Sequence, residues 1–177
     1  MKDPFLEATL ATISQGRALS EKALEQLTDD QDFFFVPGPR SQSIAATVKH
    51  VGGNLLSRWT DFLTSDGEKE NRDRDGEFLI LPEDSRLSIM QSWSQGWTRF
   101  REEIQNLTSE DLQRTVYIRS EAHSVPLAIQ RSLSHTSYHV GQIVYLCRLI
   151  KKGEWTWLTI PPGGTEEFNQ RMRKRDS

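Results

Sequence analysis

The stretch MQSWSQGWTRFREEIQNL, residues 90–107, decides the fold class. Its apolar residues Met90, Trp93, Trp97, Phe100, Ile104 and Leu107 recur at alternating steps of three and four. That is the a/d spacing of a helix packed against its neighbours at a shallow angle. Upstream, Pro82-Glu83-Asp84 reads as the start of this helix, because acids are favoured at the positive end of the helix dipole. Further upstream, Ile44, Val48, Val51, Leu55 and Phe62 share a narrow angular band and predict a helix from about Ser43 to Leu63. At the N-terminus, Pro4 suits a first helical turn, and Leu6, Leu10, Ile13, Leu19, Leu24 and Leu27 continue a stripe to residue 27. Downstream, Pro126 opens a fourth helix that runs to about Lys152 and is closed by Gly153. Its inward stripe reads Ala128, Ser132, His135, His139, Ile143, Leu146 and Ile150. Four long amphipathic helices without a strand series predict an all-α four-helix bundle.

The connections are short or polar. Phe33 to Val36, ended by Pro37-Gly38-Pro39, is too short for a helix and reads as a loop whose rings cover one end of the core. Residues 64–81 are charged and form a loop, although Phe78 to Leu81 require an apolar surface to dock on. Thr115–Val125 alternates briefly, which predicts a small hairpin before the fourth helix. Thr165 caps a short last helix to about Arg173.

The chain has 177 residues, which reads as one domain over 1–177, with 153–177 as a C-terminal extension packing on the bundle. Hydrophobic residues make up 36% and charged residues 27%, so the core is built from stripes rather than from fully apolar elements. The single cysteine excludes an internal disulfide and a cysteine-based zinc cage, and suits a reducing cytoplasm. No apolar run is long enough to span a membrane, and MKDPFLEATL lacks the pattern of a secretory signal. A net charge of -3 and a pI near 5.8 oppose nucleic-acid binding. The basic residues Arg171, Arg173, Lys174 and Arg175 read as a solvated helix end.

The four histidines hold the remaining chemistry. His135 and His139 lie four residues apart on the fourth helix, so both project from one face, about 6 Å apart along the axis. Two inward imidazoles require partners, either hydrogen bonds or a shared metal ion. His50, in VKHVGGNLLSRW, would be a third ligand from another helix. At 100° per residue it lies about 120° from the centre of its helix's apolar stripe, so spacing does not select it. Gly52 and Gly53 beside it permit close approach of a neighbouring backbone or a bend. His123, in EAHSVPL, reads as an exposed loop residue.

At HTSYHVGQIVYL (His135 to Leu146) and KHVGGNLLSRWTDFL (Lys49 to Leu63), the chain resembles the DinB/YfiT-like superfamily of bacterial four-helix bundles. The resemblance extends to RDRDGEF (Arg72 to Phe78) and to the W…IPPGG tail, and so covers nearly the whole chain. It implies that one histidine of the second helix and two of the fourth bind a divalent metal, often nickel or zinc. The matching positions are His50, His135 and His139. It also implies metal-dependent transfer chemistry with a low-molecular-weight thiol, such as bacillithiol, mycothiol or glutathione, and an electrophilic substrate. A homodimer is a further implication, for which Trp155 to Ile160 offers apolar surface.

Three neutral imidazoles would leave such an ion a strong Lewis acid, able to favour a thiolate or to activate water for hydrolysis. Asn54 and Arg58 follow His50 at steps of four and share its face, where Arg58 could pair with a carboxylate of the thiol or substrate. Gln142, three residues after His139, would orient a ligand. Glu77 reads as a solvated loop acid, and Cys147 as a small buried hydrophobe. The alternative to an enzyme is a metal-binding stress or interaction protein without turnover.

Overall fold

The computed structural model describes residues 3–175. Four long helices make the bundle: α1 (Pro4–Glu25), α3 (Ile44–Trp59), α4 (Arg86–Asn106) and α5 (Val125–Lys151). Two short helices, α2 (Asp30–Phe34) and α6 (Thr165–Arg175), flank them. The hairpin forms as the alternation predicts, with β1 (Thr115–Ile118) antiparallel to β2 (Glu121–Ser124) immediately before α5. Helix α3 packs most extensively on α4 and α1 on α5, and α1–α4 and α3–α5 contacts close the ring. No helix among the described residues is long and apolar enough to cross a membrane.

Local chemistry sets the helix starts. The Asp3 side chain accepts from the Phe5 N–H ahead of Pro4, and Ser43 accepts from the Ala46 N–H. Helix α4 begins later than Pro82-Glu83-Asp84 suggests, because Ser85 and Ser88 form a reciprocal capping box. Asp84 instead accepts from the Leu81 N–H and pairs with Lys49 at 2.7 Å. The α4 stripe likewise begins at Ile89, which is buried, whereas Met90 is only partly covered.

Two loop readings need correction. Asp30–Phe34 is a helical turn, because Asp29 caps it by accepting from the Gln31 N–H. Phe33 then enters the core while Phe35 faces solvent. In the charged loop only Phe78 docks, whereas Leu79, Ile80 and Leu81 are exposed. Helix α3 also ends at Trp59, short of Leu63.

The core explains why α3 sits where it does. A Cβ on Gly96 would lie 2.7 Å from the Gly52 carbonyl oxygen, so two glycines let the α3 and α4 backbones touch. Trp59 stacks on Phe100 at 4.3 Å, and its indole N–H donates to Ser132 Oγ at 3.1 Å. This side chain therefore ties α3 to both α4 and α5. Cys147 is fully buried on α5, and burial pushes its thiol up to about 12. Beyond α5, the Gln26 side chain exchanges hydrogen bonds with the Thr156 backbone, and Arg148 lies over the Trp157 ring. Trp155 and Leu158 pack on the core from the same segment.

Candidate metal centre

His50 lies midway along α3, and His135 and His139 stand one turn apart on the facing side of α5. Their ring centroids are 4.6 Å (His135–His139), 5.0 Å (His50–His139) and 5.3 Å (His50–His135) apart. One nitrogen from each ring lies within 4.8 Å of the other two. The Nε2 atoms of His50 and His135 are 3.3 Å apart. Two nitrogens each about 2.05 Å from one ion at a tetrahedral angle would stand about 3.3 Å apart, so this pair has the spacing that a shared ion sets.

Bonds on the far side of two rings fix which nitrogen faces inward. His50 Nδ1 lies 2.8 Å from Glu77 Oε2, and His139 Nδ1 lies 2.8 Å from Gln142 Oε1. An oxygen acceptor at Nδ1 keeps the proton there and leaves the Nε2 lone pair facing the centre, the tautomer a metal ligand needs. His135 Nδ1 is buried and has no hydrogen-bond partner among the described residues. Burial, with His139, His50, Arg58 and Arg72 nearby, pushes His135 down to about 3. His139 is also lowered, by burial and by His50, against the opposing bond from Gln142. Both shifts favour the neutral imidazole, the form a metal ligand needs.

Glu77 is not a solvated loop acid. It is buried on a 3-10 turn (Gly76–Phe78), where Arg72 grips it with Nε and Nη2, each at 2.7 Å. Burial alone would raise its carboxyl, but the hydrogen bonds from His50 and Arg72 hold it below the usual carboxylate range. Gly53 makes room for it, since a Cβ there would collide with Glu77 Oε1. The next residue, Phe78, stacks on the His50 ring with centroids 4.4 Å apart.

His123 also departs from expectation. It is buried on β2, donates from Nδ1 to the Glu121 carbonyl at 2.9 Å, and accepts at Nε2 from Arg131 at 3.0 Å. It does not join the cluster of three.

With that geometry in place, sequence comparison adds one result. Residues 1–164 match the model of DUF1572, a family described as protein of unknown function. The chain belongs to DUF1572. No curated protein and no solved structure matches it significantly.

In this DUF1572 chain the three histidines lie between two cavities. One, of about 180 Å³, is lined by His50, His135, Asn54 and Arg58 together with further arginines. The other, of about 430 Å³, is lined by His139, Gln142, Phe78, Tyr138, Tyr145 and Leu146 among others. Asn54 and Arg58 therefore share the His50 side, as their spacing predicts, and Gln142 orients His139. Burial lowers the Arg58 guanidinium to about 10, with Glu68 opposing and Arg72, Arg131 and Arg119 adding to the fall, so it stays charged at neutral pH. Sequence reasoning gave no role to Arg72 and Glu68, and undervalued Glu77. One signal pointed to them: Gly53, one turn after His50, marks a face that something approaches closely.

Proposed function

We propose that this chain is a divalent-metal-dependent enzyme of the DinB-like type that transfers a low-molecular-weight thiol to an electrophilic substrate in the cytoplasm. The observation that carries the reading is the convergence of His50, His135 and His139 between two cavities, one lined by His50 and His135 and the other by His139. The donor set suits nickel or zinc, because three imidazoles converge, two of them oriented from behind, and, among the described residues, no fourth His, Cys, Asp or Glu joins the cluster. Such an ion supplies Lewis acidity that favours the thiolate form of a thiol bound to it.

The residues of the chain perform the remaining tasks. Glu77 holds the Nδ1 proton of His50, and Arg72 fixes the Glu77 carboxylate from two sides. Gln142 holds the Nδ1 proton of His139. Phe78 covers one face of His50 and limits water there. Cavities on both sides of the histidines give separate room to two reactants, which supports bimolecular transfer over hydrolysis.

The test is turnover by metal-loaded protein with bacillithiol, mycothiol and glutathione in turn, each with a generic alkylating electrophile. The expected result is a thiol conjugate formed with at least one thiol and lost in His135→Ala. Metal-loaded protein that turns over none of them would replace this reading with that of a metal-binding protein without catalysis.

A further inference from the structure

We infer that the cavity beside His50 and His135 is a binding site for an oxyanion group, a carboxylate or a phosphate, carried by one of the reactants. Besides the histidines, its charged lining consists of Arg58, Arg72, Arg74, Arg119 and Arg131, with no acidic side chain. The carboxylates that pair with these arginines, Glu68, Glu77, Asp75 and Glu121, all lie outside that lining. The cavity therefore presents several cationic groups and no anion. At about 180 Å³ it is smaller than the roughly 300–1,000 Å³ that drug-sized ligands fill, so it suits a small anion or the anionic end of a longer molecule.

Arg58 is the centre of this site. It lines the cavity although only 9% exposed, and its one ion pair among the described residues, with Glu68, is long at 3.7 Å. A buried guanidinium without a close carboxylate is costly, and an oxyanion in the cavity would compensate its charge.

Two more arginines are held in place at the mouth. Arg119 and Ser120 form the two-residue hairpin loop, both with left-handed backbone (φ 55 and 62). Such turns favour Asn and Gly, so an Arg-Ser pair there carries strain. Asp66 offsets it by accepting the N–H groups of Arg119 at 2.8 Å and Ser120 at 2.7 Å, which fixes where Arg119 stands. Arg131 is held by the buried His123. Both guanidinium groups remain about half exposed at the mouth, where they would meet an incoming anion.

The inference rests on the proposed function only for its link to turnover, because anion binding is measurable without catalysis. The test is calorimetric titration of the full chain as purified with inorganic phosphate and, separately, with succinate, repeated after metal removal by chelator and dialysis. The tighter of the two identifies the oxyanion class. Saturable binding is expected in both states of the protein, weakening as NaCl rises from about 0.05 to 0.5 M. Arg58→Gln is expected to weaken it roughly 10- to 100-fold, the loss of a charged hydrogen bond. Arg119→Gln, at the exposed rim and safe for folding, is expected to weaken it roughly 2- to 5-fold, while Arg114→Gln, outside the cavity, leaves it unchanged. Failure of both anions to bind, binding unaffected by both Arg58→Gln and Arg119→Gln, or binding confined to metal-loaded protein would overturn the inference. The last outcome would assign the anion to the metal and leave the proposed function standing.

Discussion

Ile44, Val48, Val51 and Leu55 on one side of α3, and His50, Asn54 and Arg58 on the other, are all buried, but they are completed in different ways. The apolar side needs only volume. It meets α4 across Gly52 and Gly96, and neighbouring helices fill the rest. The polar side needs a partner for each atom, and helices alone do not supply them. The 66–78 loop supplies several of them: Glu77 takes His50, Arg72 fixes Glu77, and Glu68 lies near Arg58. A charged loop that reads as a surface connection is in this sense the fourth wall of the site.

Substitutions on the two sides should therefore separate stability from metal affinity. On the apolar side, Leu55→Ala removes a fully buried side chain and is expected to cost roughly 2–5 kcal/mol, read from urea unfolding, while the folded fraction keeps its full metal content. Loss of metal in the folded fraction would show that the two sides are not independent. On the polar side, Glu77→Gln keeps the shape but removes the charge behind His50. Metal affinity is expected to fall roughly 10- to 100-fold, as for other outer partners of ligating histidines, measured by competition with a chromophoric chelator. An unchanged affinity would mean that Glu77 serves the fold alone.

Gly53→Ala sharpens the same point at one remove, because the three atoms nearest the new methyl all belong to Glu77. A smaller loss of metal affinity is expected, below about 10-fold, and it should disappear in the Glu77→Ala background. The smallest effect concerns Cys147, far from the polar side. Its raised thiol favours the neutral form in the fold, so its contribution to stability is complete below pH 9 and is lost as pH rises towards about 12. At pH 7–8 the native protein should resist a thiol-specific disulfide reagent and react only on unfolding. Rapid labelling of the native state would show that the residue is not enclosed.

The bundle was legible because Trp93, Trp97, Phe100 and Ile104 each obey one period and face one way. His135 and His139 were legible for the same reason, since they interrupt an otherwise apolar stripe. His50 was not, because a periodicity argument assumes one buried side per helix and α3 buries nearly all of its surface. Only the resemblance to the DinB/YfiT-like superfamily selected it. Glu77 and His123 were misread because burial in a loop or hairpin depends on contacts distant in sequence. Glu77 is buried against α3, and His123 beneath Arg131 of α5.

The most direct test of the account is elemental analysis of untagged protein, wild type and His139→Ala, after incubation with excess zinc or nickel and desalting. The account predicts about one divalent ion per wild-type chain and none above background in the variant, with both proteins folded by circular dichroism. A wild-type protein that retains no stoichiometric metal, or a variant that retains as much as the wild type, would contradict it.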